Sequence, residues 1–302
     1  MNIKVGWIKM ASKKGRRKTI KYVLKNCIIK GKKHTVPRDK EASVTVYLYY
    51  PAQGGENLPV IFNVHGGAWL GGDAILLDTQ SQNMANRLGA MVVNINYIKA
   101  DIKPFPYAQY EVRDTVHYFL EHSKEYSLDT EKFVLMGYSA GGHLCACATQ
   151  LLKAEGIRIS CQVLCYPFLD FTYGQENSND AEKEVETENV FKQILFPNMS
   201  RRDSLVSPGI LPDEQLVGIA PAIIITCGQD ALKPQADAYA KRLEKVKVPV
   251  QLLNYPDAIH GFLECNYPET DDENGAKSPE QEILCHKCEN EIAEKLLEMW
   301  GL

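Results

Sequence analysis

The sequence predicts an α/β fold: a mostly parallel central sheet with helices on both faces and a cap insertion late in the chain. Three observations carry this. Strand-like and helix-like patterns alternate from about residue 42 to the end, the arrangement that builds a parallel sheet covered on both sides. The run LPVIFNVHGG at 58–67 is apolar without alternation, as expected of a strand buried on both faces that feeds a glycine-rich loop. A second such run, KFVLMGYS at 132–139, passes directly into small residues and then into a helix-compatible stretch.

The elements follow in order. SVTVYLYYP at 43–51 reads as a half-buried strand by its period of two and its β-branched content. MVVNINY at 91–97, SCQVLCYP at 160–167, PAIIITCGQD at 221–230 and VPVQLLNYP at 248–256 supply further strands. Helical patterns fall at about 107–125, 141–153, 234–246 and 280–300, and their spacing suits right-handed crossovers. The stretch from Phe168 to about Val217 is too long for a plain connection and contains the acidic run GQENSNDAEKEVETEN. Connections of that length in a compact domain are lids, binding loops or insertions, so a cap is expected over 168–217, with residues 1–40 packing beside it.

Chain length suits a single domain over 1–302. With 45% hydrophobic and 24% charged residues, the composition is that of a globular protein rather than a disordered or coiled-coil one. The net charge of −4 hides an uneven distribution, because residues 1–40 hold fourteen Lys or Arg against the single acid Asp39. A basic arm of this kind can meet an anionic polymer or membrane, but a solvated, solubilising edge is the simpler expectation. The opening stretch lacks a complete apolar core for a secretory signal, and no later segment has the roughly 18 apolar residues of a membrane span. A cytoplasmic location is expected. Nine cysteines, an odd number in a chain large enough not to need staples, point to reduced thiols. Cys285 and Cys288 form one CxxC beside His286, and without a second well-spaced pair no metal is expected there.

The residue types that carry chemistry sit at the exits of strands. GYSAG at 137–141 matches Gly-x-Ser-x-Gly, in which a tight strand-to-helix turn projects a serine above the sheet. Ser139 would also serve as a plain N-cap, but the preceding strand and following helix favour a nucleophile. HGGAW at 65–69 follows an earlier strand, and its glycines let the backbone amides of Gly66 and Gly67, with that of Ala140, face a developing oxyanion. A serine nucleophile needs a base, and the base needs an orienting group. His260 in DAIHGF follows the last strand and Asp230 in CGQDAL the one before it. Asp170 is the reserve acid, and Asp257 lies too near His260 in sequence to be favoured. His65 and His143 are expected to be structural. Trp69, Tyr138, Phe168 and Leu169 flank the motifs and are candidates for an apolar substrate pocket.

Taken together, HGGAW, GYSAGG, the Ser207–Pro208 pair, GQDAL and HGF resemble the hormone-sensitive-lipase-like branch of the α/β-hydrolases, which includes bacterial esterases and acetylesterases. The resemblance covers nearly the whole chain from residue 42. It implies a catalytic triad of Ser139, Asp230 and His260, oxyanion donors at Gly66, Gly67 and Ala140, and a cap from the amino-terminal arm and 168–217. Small, short-acyl carboxylic esters are the expected substrates, because the sequence shows no long apolar surface of the kind an interface-activated lipase uses, and hydrolysis through an acyl-enzyme needs no cofactor or metal. Two positions depart from the branch pattern: Ala68 replaces the last glycine of HGGG, and Tyr138 stands where an acidic residue is frequent. HGGxW also resembles formamidases and peptidase-like hydrolases, which keeps an amidase as an alternative, and a non-catalytic ligand-binding homologue is a third. The expected partner is a small-molecule ester, with no nucleic acid and no membrane span, and a homodimer is compatible with the sequence.

Overall fold

In a computed structural model, residues 3–173, 190–270 and 276–302 are described. Eight strands form one sheet in the order β1-β2-β4-β3-β5-β6-β7-β8. They are β1 (Lys32–Arg38), β2 (Glu41–Tyr49), β3 (Leu58–Val64), β4 (Met91–Asn96), β5 (Leu128–Tyr138), β6 (Cys161–Cys165), β7 (Ala222–Cys227) and β8 (Val250–Tyr255). β2 runs antiparallel to both β1 and β4, and every pairing from β4 across to β8 is parallel.

The main helices are α1 (Ile3–Asn26), α2 (Asp78–Leu88), α3 (Tyr107–Glu121), α4 (Ala140–Ala154), α5 (Lys233–Lys245) and α6 (Pro279–Trp300). Side chains alternate across a strand, so each strand supplies two cores. Val60, Phe62 and Val64 of β3 pack with Val116 and Phe119 of α3, Leu144 and Leu152 of α4 and Leu243 of α5. Ile61, between them, packs on the other face with Met84 and Leu88 of α2 and Ile292 and Leu296 of α6. Burial of every residue in β3, β6 and β7 accounts for their unbroken apolar runs.

Two elements differ from the expectations drawn from sequence. Residues 32–38, assigned there to a cap arm, form the edge strand β1 with only Val36 buried; Lys32 and Lys33 are exposed, as suits a free edge, while the Arg38 guanidinium turns in to Asp114 at 2.6 Å. Residues 3–26, also in the basic arm, form a long helix anchored by buried Val5 and Val23. Of the expected cap insertion, the acidic run at 174–189 lies outside the described residues. Its flanks are described: Phe171, Val190, Ile194, Leu195 and Phe196 pack into the same apolar cluster as Trp69 and Phe105.

Candidate active site

β5 ends at Tyr138, α4 begins at Ala140, and Ser139 between them holds φ 51° and ψ −113°, a region that costs an L-residue on the order of 1–3 kcal/mol. Surrounding contacts fix that strain. Ser139 donates its amide to the Cys165 carbonyl at 2.9 Å, and its own carbonyl accepts the His143 amide at 3.1 Å. A side chain at Gly141 would run into the Val64 carbonyl oxygen, so only glycine lets α4 start this close to β3.

From that elbow the Ser139 hydroxyl donates to His260 Nε2 at 2.9 Å. His260 Nδ1 lies 2.6 Å from Asp230 Oδ2, so in this arrangement Nδ1 carries the proton and Nε2 is left as the acceptor. The second carboxylate oxygen, Asp230 Oδ1, accepts the Leu232 amide at 2.9 Å. The Asp230 side chain is 5% exposed and that of His260 39%, so the carboxylate is held still while the imidazole meets the open side. Hydroxyl, imidazole and carboxylate thus come from three separate strand exits, 121 and 30 residues apart in chain separation. A serine relieved of its proton in this way can attack a carbonyl carbon.

The reserve acid is engaged elsewhere: Asp170 uses Oδ1 to accept the Thr172 amide at 2.7 Å and its hydroxyl at 2.6 Å. His143 is buried, accepts Trp69 Nε1–H at its Nδ1 at 3.2 Å and therefore donates from Nε2 to the Val206 carbonyl at 3.0 Å. Burial lowers its pKa to about 4, so it stays neutral and braces Trp69. His65, also buried, bonds the Gly66 carbonyl through Nδ1 at 2.6 Å and Lys99 Nζ through Nε2 at 3.0 Å, with its pKa pushed well down by burial and then by Lys99.

The loop after β3 is not arranged quite as its glycines suggest. The Gly66 amide donates to Glu264 Oε1 at 2.7 Å and is therefore occupied by protein. Among the described residues, the amides of Gly67 and Ala68 donate to no protein acceptor, and Ala140, as the first residue of α4, has no acceptor within its helix. Ala68 reaches this position in the left-handed region, with φ 49°. Glu264, one helical turn after His260, gives no sign in sequence because its effect depends on a contact 198 residues away.

The serine opens onto a cavity of about 380 Å³ lined by Ala68, Trp69, Ser139, Ala140, Phe168 and Phe171, with Tyr173, Phe191, Phe196 and Leu232 beyond. Trp69 and Phe168 line this cavity. Tyr138 and Leu169 do not. Tyr138 is fully buried on the opposite side of the sheet, where its hydroxyl accepts Gln80 Nε2–H at 2.7 Å, because it is the alternate residue of the strand end. Leu169 turns inward and its amide donates to Gln235 Oε1 at 3.0 Å.

Cys285, His286 and Glu289 offer ligand atoms within 4.8 Å of one another. Glu289 is nonetheless taken by the Tyr267 hydroxyl at 2.6 and 2.7 Å and approached by Arg87 at 3.5 Å, and burial pushes the Cys285 and Cys288 thiols up, away from the thiolate a metal needs. No disulfide joins any of the cysteines among the described residues. No helix among the described residues is long and apolar enough to cross a membrane.

Residues 61–264 match the family model described as alpha/beta hydrolase fold. The chain is 28% identical over 236 residues to carboxylesterase NlhH of Mycobacterium tuberculosis, covering 76% of this chain and 74% of the relative. It is 28% identical over 300 residues to arylacetamide deacetylase of Oryctolagus cuniculus, covering 77% and 75%. In fold it is similar to a thermostable esterase from Pseudomonas putida, with TM-score 0.79, 21% identity, and coverage of 96% of this chain and 90% of that one.

Proposed function

The chain belongs to the α/β-hydrolase family, and from that premise we propose that it is a cytoplasmic serine carboxylesterase acting on small, short-acyl esters. The unbroken path from the Ser139 hydroxyl through His260 to Asp230, at 2.9 and 2.6 Å, carries the proposal. In this reading Ser139 Oγ attacks the ester carbonyl while His260 Nε2 takes its proton. The negative oxygen that forms is held by the amides of Gly67, Ala68 and Ala140. His260 then gives the proton to the leaving alkoxide, and the alcohol departs from an acyl-enzyme. Water, deprotonated by the same imidazole, attacks the acyl carbon, and return of the proton to Ser139 releases the acid. Asp230 keeps the imidazole in the required tautomer and balances its transient positive charge.

A cavity of about 380 Å³ lies at the small end of ligand sites, which supports a short acyl or aryl group. The cap is proposed to be built from the amino-terminal arm before β1 and from the insertion at 168–217. The lack of disulfides among the described residues supports a reducing compartment. The name of the arylacetamide deacetylase relative favours amide cleavage as a second reading, and matched ester and amide substrates separate the two. Ser139→Ala is the decisive variant. It should lower turnover of a p-nitrophenyl acetate type substrate by at least about a thousandfold and abolish labelling by a fluorophosphonate probe. Near-normal turnover or unchanged labelling in that variant would overturn the assignment.

A further inference from the structure

The outward side of α1 has a composition that its packing leaves unexplained. The helix is anchored from within by Val5 and Val23, both buried, and by Arg16, which bonds both carboxylate oxygens of Asp101 at 2.9 and 2.8 Å as well as the Leu70 carbonyl. With about 100° between successive residues, the opposite side carries Ile3, Trp7 and Met10, which are 77%, 65% and 57% exposed. Their spacing places them on successive turns of one face. The same face continues with Lys14, Arg17, Lys21 and Lys25, all exposed. The helix holds nine Lys or Arg and no acidic residue.

We propose that α1 docks the protein on an anionic lipid surface, with Ile3, Trp7 and Met10 entering the interface and the basic band lying along the headgroups. Apolar side chains beside a run of cations are the make-up of a helix that lies in the plane of a bilayer, and tryptophan is suited to the boundary between hydrocarbon and water. Charge complementarity selects the occupant. Residues 1–40 carry fourteen cations against one acid while the whole chain is at −4, so the remainder of the chain is acidic. An anionic surface therefore attracts α1 and repels the rest, which orients the approach. A second copy would set this cationic face against its own like. A nucleic acid would use the cations and leave three large apolar side chains in water. Arg16 ties the helix to Leu70, next to cavity-lining Trp69, so docking would bring this side of the cavity rim near the bilayer. The inference does not depend on the esterase reading.

The test uses the full chain and two sets of vesicles, phosphatidylcholine alone and phosphatidylcholine mixed with phosphatidylserine. The protein should sediment with the mixed vesicles several-fold better than with the neutral ones, and less well at about 0.5 M salt, where screening shortens the reach of the cations to a few ångströms. Trp7 emission should shift to the blue on binding, a change lost in Trp7→Phe. The triple variants Ile3→Ser/Trp7→Ser/Met10→Ser and Lys14→Glu/Arg17→Glu/Lys21→Glu should each weaken binding by about tenfold or more, with thermal melting unchanged because the positions are exposed. Where a triple variant melts early, Trp7→Ser alone must still weaken binding. Absence of binding to the mixed vesicles would refute the proposal. So would binding that survives loss of the three apolar side chains, or tighter binding to a DNA duplex that ignores them.

Discussion

Glu264 and Gly66 are joined by a 2.7 Å hydrogen bond from the backbone amide to the carboxylate, linking the loop of the proposed oxyanion donors to the turn that follows His260. One side chain thereby sets the distance between the two segments that must cooperate. Burial pushes the Glu264 carboxyl up to about 7, against the pull of the Gly66 amide and the His260 imidazole.

A carboxyl whose folded pKa is raised keeps its proton in the native state after the unfolded chain has lost it. Between the ordinary value of 4.5 and about 7, stability therefore falls as pH rises, by at most about 1.4 kcal/mol per pH unit for one proton. Below that window the penalty is absent, and above it the penalty is complete. Glu264→Gln keeps an acceptor for the Gly66 amide but cannot ionise. Its Tm should gain on the wild type progressively from about pH 5 to about pH 7, and parallel Tm curves would show that Glu264 does not titrate in this window. Glu264→Ala leaves the Gly66 amide without its acceptor and should lower kcat more than it changes KM.

In the proposed mechanism Asp230 acts through His260 rather than on substrate. Asp230→Asn preserves shape but favours the tautomer with the proton on the wrong nitrogen, so kcat should fall by about 10⁴-fold while the fold is retained. Steady-state kinetics with a circular dichroism melt checks both. A loss of less than about tenfold would mean that another carboxylate supports the base.

The parts of the molecule readable from sequence are those in which one local pattern has one physical cause. β3 and β7 are buried on both faces and so appear as unbroken apolar runs, and the crowding at Gly141 forces a glycine that marks the elbow. α2 gives no apolar stripe because it buries Asp78, Gln80 and Ser81; Asp78 receives the Lys30 and Gly31 amides and the Tyr49 hydroxyl. α1 and β1 were hidden in the basic arm, since two buried residues in one and a single buried residue in the other leave too faint a period. Glu264 could not be read at all, because its partner is fixed by tertiary structure alone.

Cavity size leads to a substrate prediction. Trp69, Phe168, Phe171 and Phe196 close one side of the space beside Ser139, with Trp69 edge-on to Phe168 at 5.3 Å and Phe171 against Phe196 at 4.8 Å between ring centres. Rings packed against one another resist displacement, so this wall does not yield to a longer chain. Across p-nitrophenyl esters of increasing acyl length, kcat/KM should peak at short acyl groups. A maximum at about eight carbons or longer would contradict this reading of the cavity.

Lys99 predicts the opposite pH slope to Glu264. Its ammonium is buried, donates to the Tyr97 carbonyl at 2.6 Å, Asn96 Oδ1 at 3.2 Å and His65 Nε2 at 3.0 Å, and so holds the loop beginning at His65 from beneath. Burial lowers its pKa from 10.5 to about 7, with Asp73 and Glu111 opposing the shift. Between those values the unfolded chain binds more protons than the native protein, so stability rises with pH across that window, again by at most about 1.4 kcal/mol per unit. Lys99→Met, which fills the space without titrating, should flatten the rise in Tm between pH 7 and pH 10. It also removes the donor to His65 and should reduce kcat by loosening the Gly66–Ala68 loop. An undiminished slope in the variant would assign the alkaline gain to other groups.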